Sequence, residues 1–85
     1  MELPQEDLAA IRRRLVRAQG QLGGIIKMID ENRECTDVLN QLSAANSAIA
    51  RAGFALIASG IAACGTGESG VADRQKLEKA FLSLS

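Results

Sequence analysis

A heptad repeat of apolar residues near the N-terminus constrains the fold of this chain more than any other feature of its sequence. Apolar side chains recur at alternating spacings of three and four residues: Leu8, Ile11, Leu15, Ala18, Leu22, Ile25 and Ile29. This spacing keeps them on one face of an α-helix and is typical of helices that pack lengthwise against other helices. It predicts a first helix over about residues 4–31, beginning at Pro4.

A second apolar stripe follows a short polar joint and predicts a second helix over about residues 36–64. Its members are Val38, Leu42, Ala45, Ile49, Ala52, Leu56, Ser59 and Ala63. A glycine-rich break at residues 65–70 separates it from a short third helix, predicted over about residues 71–84. Of the 85 residues, 47% are apolar but only 2% are aromatic, which favours helices over a sheet. We therefore predict one all-α domain over residues 1–85.

The second helix carries more apolar surface than a two-helix hairpin can cover. Leu39, Phe54, Ile57 and Ile61 lie outside its main stripe. The third helix can cover part of this surface by folding back, and a second copy of the chain can cover more of it. We expect three-helix protomers that form an antiparallel four-helix-bundle dimer.

The residue types that are absent exclude several functions. The chain has no histidine, which removes imidazole bases, Ser-His-Asp triads and imidazole metal ligands. We therefore expect no enzyme. Polar residues such as Arg51 keep every apolar run below the ~18 residues of a membrane span, and the acidic N-terminus lacks the apolar core of a signal peptide. We expect a cytoplasmic protein with no membrane partner.

Two cysteines stand at opposite ends of the second predicted helix. At ~1.5 Å per residue, Cys35 and Cys64 lie roughly 40 Å apart in one chain, whereas a disulfide requires Cα atoms within ~7 Å. In an antiparallel dimer Cys35 of one copy faces Cys64 of the other, and twofold symmetry makes two such pairs. Cys35, at a helix N-terminus beside Arg33, is the expected attacking thiolate and Cys64 the resolving thiol. Two small buried hydrophobic residues are an equally good interpretation at this point.

The first helix has a basic face. Five basic residues and no acidic residue occur between Leu8 and Ile29, namely Arg12, Arg13, Arg14, Arg17 and Lys27. Arg51 adds a positive charge on the second helix. The formal net charge of the chain is zero, so this basic surface is local. A local basic face suits contact with DNA phosphates, and a solvated helix surface is the simpler alternative.

Several motifs resemble those of a known family, the CsoR/RcnR family of small all-helical bacterial repressors. The first-helix motif is matched by Arg14-Leu15, Arg17-Ala18-Gln19-Gly20-Gln21-Leu22 and Gly24-Ile25. The second-helix motif is matched by Cys35, Asp37-Val38-Leu39, Gln41-Leu42 and Arg51-Ala52-Gly53-Phe54-Ala55-Leu56. The resemblance covers about residues 11–64.

This resemblance implies a DNA-binding transcriptional repressor that leaves its operator when an inducer reaches the cysteine site. It also implies that the antiparallel homodimer pairs into a homotetramer. The family's contacts with operator double-stranded DNA map onto Arg14, Arg17 and Arg51, and the basic-face argument adds Arg13.

The chain departs from the copper sensors of this family at one position. Those sensors use Cys, His and Cys, with the His four residues before the second Cys. Cys35 and Cys64 match the two thiols, but Gly60 stands at the His position. Nickel and cobalt sensors use several His, and formaldehyde-responsive members use an N-terminal Pro where this chain has Glu2. The remaining pair of thiols is similar to the CstR-like branch, which senses reactive sulfur species through sulfur bridges between protomers.

We therefore expect a repressor that senses persulfide or polysulfide through Cys35 and the Cys64 of a second copy. Its targets would be genes of the sulfide or sulfurtransferase type, and it would need no cofactor. Three alternatives stay open. One is a Cu(I) sensor that uses the two thiolates of Cys35 and Cys64. The others are a thiol peroxide sensor and a structural helical module with inert cysteines.

Overall fold

The computed structural model describes residues 2–64 and 67–84, which form three α-helices. They are α1 (Gln5–Asp30), α2 (Cys35–Ala63) and α3 (Glu68–Leu84). The described residues contain no strand, so the all-α prediction is confirmed. Within these residues α1 and α3 both pack on α2 and do not contact each other. The molecule is flat and elongated, with principal extents of 55 × 25 × 13 Å.

The joint between α1 and α2 is a tight reversal. α1 begins directly after Pro4 and ends one residue before its predicted end. Asn32 then has a φ of 55°, a left-handed conformation that asparagine tolerates better than most residues. Its N–H donates to the Ile29 carbonyl at 3.1 Å, and the Arg33 N–H donates to the Met28 carbonyl at 2.9 Å. This pair of hydrogen bonds is a Schellman motif, and it turns the chain from α1 into α2.

Every second residue of the two predicted stripes is buried where α1 packs against α2. The buried residues of α1 are Ile11, Ala18 and Ile25, and those of α2 include Ala45, Ala52 and Ser59. Each set has a spacing of seven residues. The Ser59 hydroxyl donates to the Asp7 carboxylate at 2.7 Å, which joins the start of α1 to the end of α2. The two helices therefore run antiparallel.

Most of the other members of both stripes remain exposed, although Val38 is half-buried. Leu8, Leu15, Leu22 and Ile29 of α1 are 37 to 58% exposed, and Leu42, Ile49 and Leu56 of α2 are 38 to 47% exposed. No large side chain among the described residues is fully buried. The single chain thus buries only half of its predicted core, and the remaining half is the surface that the predicted four-helix dimer would cover.

α3 packs back along the second half of α2. The rings of Phe54 and Phe81 lie with centroids 5.5 Å apart at a tilt of 41°. A Cβ atom at Gly53 would collide with the Leu84 side chain, so glycine permits the close approach of the end of α3. These contacts make α3 antiparallel to α2.

The predicted start of α3 at residue 71 was too late. The helix begins at Glu68, and the Val71 N–H donates to the Gly67 carbonyl at 3.1 Å, closing the first turn inside the predicted glycine-rich break. The acidic Glu68 is favourable at a helix N-terminus. Gly70 is buried, and this packing outweighs its low helix propensity. Residues 65 and 66 of that predicted break lie outside the described residues.

The predicted bounds of α2, residues 36–64, were displaced by one residue at each end. Cys35 is its first residue, because the Glu34 side chain caps the helix. Cys64 leaves the helix with a ψ of 131°. Among the described helices, α2 is also the one long and apolar enough to cross a membrane by length and composition alone. The core helix of a soluble bundle passes the same test, because it too must present a wide apolar face.

Candidate functional site

Three of the predicted DNA-binding arginines surround one pocket between α1 and α2. Its volume is about 460 Å³, and it is lined by Arg14, Arg17, Gln21, Ala44, Ser47, Ala48 and Arg51. The three α1 residues are spaced by three and four positions, as are the α2 residues, so each set occupies one face of its helix. Antiparallel packing then brings Arg51 opposite the α1 arginines. We call this cavity the arginine pocket.

Arg13, the fourth predicted DNA-binding residue, lies beside the arginine pocket. With Ala10, Arg14 and Arg17 it lines a second cavity of about 330 Å³ on α1. Arg14 and Arg17 belong to both cavities, so the basic surface is continuous along α1. The structure thus brings Arg14, Arg17 and Arg51 together and places Arg13 at the edge of the group.

The electrostatics of the arginine pocket favour an anion. Its three arginines are exposed, and within residues 2–64 and 67–84 none of them forms a salt bridge with a carboxylate. Two neutral polar side chains, Gln21 and Ser47, complete the lining. Sequence reasoning did not single out either of them as a functional residue. The signal that could have found them is their helical spacing from Arg17 and Arg51.

The two cysteines occupy opposite ends of α2 and have different surroundings. Cys35 is exposed at the first helical position, whereas Cys64 is half-buried just after the last turn. The Cys64 thiol donates to the Gly60 carbonyl at 3.2 Å. The 29 residues of α2 span roughly 40 Å, so a single chain does not bring the two sulfur atoms together.

The cap of α2 changes the electrostatics expected around Cys35. The Glu34 carboxylate accepts hydrogen bonds from the Thr36 N–H at 2.7 Å and the Asp37 N–H at 3.3 Å. These two amides belong to the first turn of α2, which begins at Cys35. A negative charge therefore occupies the position where the helix terminus was expected to stabilise an anionic sulfur.

The surroundings of Cys64 provide few further metal ligands. Gly60, one turn before Cys64, is buried and has no side chain to donate. Among the described residues, no cluster of three or more His, Cys, Asp or Glu side chains could hold a metal ion. A site that uses both sulfur atoms would combine two copies of the chain, because one chain holds Cys35 and Cys64 at opposite ends of α2.

Comparisons with known proteins point to one family. A family model described as "metal-sensitive transcriptional repressor" matches residues 7–83. The copper-sensing transcriptional repressor RicR of Mycobacterium tuberculosis is 36% identical over 76 residues, covering 86% of this chain and 79% of RicR. The copper-sensing transcriptional repressor CsoR of Mycobacterium ulcerans is 38% identical over 63 residues, covering 74% of this chain and 53% of CsoR. No solved structure gives a significant match.

Proposed function

The chain belongs to the family of metal-sensitive transcriptional repressors. From this premise we propose that its two cysteines control its binding to operator DNA. DNA binds at the arginine pocket, and an effector acts where Cys35 of one copy meets Cys64 of another. The observation that carries this proposal is the position of the two sulfur atoms at opposite ends of one uninterrupted helix. Only a second, antiparallel copy can complete an effector site from them. The protein would act in the cytoplasm, where the DNA is.

The arginine pocket supports the DNA-binding half of the proposal. Guanidinium groups from two helices converge on one cavity, and arginine binds phosphate oxygens with two parallel N–H groups. Because Arg51 is on α2 and Arg17 is on α1, the spacing of these groups depends on how the hairpin is packed. An effector that changes the packing of α2 therefore changes the fit to a DNA backbone.

Cu(I) is the effector that we propose first. Two relatives of this chain carry copper sensing in their names, and the pair of sulfur ligands suits a soft, monovalent ion. Bound Cu(I) would link Cys35 of one protomer to Cys64 of the other. Cys64 must release its hydrogen bond to the Gly60 carbonyl in order to bind the ion as a thiolate. Binding therefore alters the end of α2, one turn from the Ser59–Asp7 contact with α1.

Reactive sulfur species are a second candidate, favoured by Gly60. A glycine at this position leaves two sulfur atoms with no third ligand from position 60, which is sufficient for covalent chemistry. A Cys35 thiolate attacks the outer sulfur of a persulfide, gains that sulfur and releases a thiolate. Cys64 of the second copy then attacks the Cys35 sulfur, forming a disulfide and releasing hydrosulfide. The two cysteines are oxidised, and the transferred sulfur is reduced.

Intact-mass spectrometry combined with DNA binding tests these proposals. The reduced protein selects a binding duplex from a randomised pool and is then exposed separately to Cu(I), polysulfide and peroxide. Copper sensing predicts that Cu(I) is retained and the duplex released, while polysulfide leaves the duplex bound. Release of the duplex together with covalent dimers after polysulfide treatment would support the sulfur mechanism. The same result with peroxide alone would support the peroxide mechanism.

Single cysteine variants provide the matched controls. We expect Cys35→Ser and Cys64→Ser each to bind the duplex as tightly as the unmodified protein, because neither residue lies in the arginine pocket. Both should lose the response to the effector. A full response in either variant would contradict control through the cysteine pair, and failure to select any duplex would contradict DNA binding.

A further inference from the structure

One buried polar atom in the wall of the arginine pocket has no hydrogen-bond partner. The Gln21 side-chain oxygen, Oε1, is shielded from solvent, and no donor among the described residues reaches it. Burying an amide oxygen without a donor lowers the free energy of unfolding. An apolar side chain of the same length would avoid this cost. The amide at position 21 therefore needs a hydrogen-bond partner that no described residue provides in this conformation.

The position of Gln21 indicates what that partner is. Gln21 follows Arg17 by four residues on α1, a spacing at which helical side chains are neighbours. Both line the arginine pocket, with Arg51 approaching from α2 and Ser47 contributing a hydroxyl. The cavity of about 460 Å³ has room for a phosphate group and its waters. Arg17 can thus reach both a bound phosphate and the Gln21 oxygen.

We propose that Gln21 is a positioning residue of a phosphate site in the arginine pocket, an inference that rests on the proposed DNA-binding function. When a phosphate binds between Arg17 and Arg51, the Arg17 guanidinium donates one of its N–H groups to Gln21 Oε1. The remaining N–H groups are then held in the orientation that binds the phosphate oxygens. A phosphate of the DNA backbone and a free phosphate ion share this chemistry.

Two methionine substitutions test the role of Gln21. Gln21→Met removes the amide and retains a side chain of similar length, and Gln19→Met makes the same change at an exposed α1 position outside the pocket. We expect Gln21→Met to raise Tm by several degrees, because it removes an unpartnered buried oxygen. We also expect it to weaken binding to the selected duplex about tenfold. Gln19→Met should change neither quantity.

Opposite changes in stability and binding distinguish positioning from a merely structural role, which would lower both together. Duplex affinity in Gln21→Met equal to that of the unmodified protein would overturn the proposal, and Gln21→Leu repeats the measurement if methionine packs poorly. A second test uses an Arg17→Gln background. There we expect Gln21→Met to cause no further loss of affinity, because Gln21 acts through Arg17. An equal loss in both backgrounds would show that it does not.

The source of the phosphate is identified by thermal shifts at matched ionic strength. Stabilisation by inorganic phosphate alone, abolished by Gln21→Met, assigns the site to a free anion. Stabilisation by the duplex alone assigns it to the DNA backbone. If Arg17→Gln weakens duplex binding and Gln21→Met does not, this inference is wrong while the proposed function stands. If the unmodified protein binds no duplex, the proposed function itself is wrong.

Discussion

Cys35 shares the start of α2 with a carboxylate that belongs to the helix cap. Glu34 accepts the Thr36 and Asp37 N–H groups, so two of the backbone donors that stabilise anions at a helix N-terminus are already occupied. The same carboxylate repels a negatively charged sulfur at the neighbouring position. The immediate surroundings of Cys35 therefore include a charged cap residue as well as the helix terminus.

Removal of this cap should make Cys35 more reactive. We expect Glu34→Ala to increase the rate of Cys35 alkylation by iodoacetamide several-fold at neutral pH, because it removes a negative charge and exposes two N–H groups. The loss of the cap should cost about 1 kcal/mol of helix stability, which circular dichroism can follow. Peptide mass spectrometry measures the rate of Cys35 alkylation in the two proteins. Equal rates at Cys35 in the two proteins would show that Glu34 does not restrain it.

The sequence predicted which charged residues lie together better than it predicted their surroundings. Arg14, Arg17 and Arg51 were identified from charge and resemblance, and helical spacing explains why they converge. The Glu34 cap was missed because glutamate is not among the side chains favoured at this position. The unpartnered oxygen of Gln21 was beyond prediction, since a missing hydrogen bond depends on the packing of both helices.

At the scale of elements, one heptad stripe serves two purposes. Ile11, Ala18 and Ile25 face α2 within the hairpin, whereas the intervening leucines remain exposed. The sequence predicted the stripe, but it did not show which residues face the same chain, because that division depends on how the helices cross. The predicted start of α3 was too late for a related reason. Gly70 has a low helix propensity and indicates a break in the helix, and only the structure shows that it is buried within α3.

Among the described helices, α3 packs on α2 and not on α1, and we expect it to be the first helix to detach. Its ring contact with Phe54 is made by Phe81, which is 43% exposed. We expect Phe81→Ala to destabilise the docking of α3 by about 1–2 kcal/mol, the value of a half-buried aromatic side chain. Hydrogen exchange should then accelerate across residues 68–84 and remain slow in the α1–α2 hairpin.

Lys79→Ala is the control for this prediction. Lys79 is an exposed α3 residue outside the ring contact, and alanine preserves helix propensity. This variant should leave exchange across α3 unchanged. Acceleration that spreads into α1 after Phe81→Ala would contradict the separate attachment of α3.

At the scale of the whole molecule, the uncovered half of the hairpin is the dominant feature. A chain with a thickness of 13 Å is only about one helix diameter thick. Leucine and isoleucine side chains from both helices lie on one exposed face at seven-residue spacing. Covering this face with an antiparallel second copy would complete a four-helix bundle and would also bring Cys35 towards Cys64 of the second copy.

Substitution of two neighbouring residues with nearly equal exposure distinguishes this specific dimer from nonspecific hydrophobic association. Leu15 is 47% exposed on the apolar stripe, whereas Val16 is 46% exposed and lies about 100° further around α1, outside the stripe. A carboxylate at position 15 would be buried unpaired in the dimer, at a cost of several kcal/mol. We expect Leu15→Glu to sediment as a single 85-residue chain and Val16→Glu to remain associated. Analytical ultracentrifugation measures both.

The same pair of variants tests whether effector sensing requires two chains. If Cys35 and Cys64 act only across a dimer, Leu15→Glu should lose the response to Cu(I) or polysulfide although both cysteines are intact. Val16→Glu should keep it. An associated Leu15→Glu protein would contradict the assignment of this face to the dimer. A dissociated Leu15→Glu protein that still binds Cu(I) tightly, or still forms a disulfide within one chain, would show that α2 does not hold its two sulfur atoms apart.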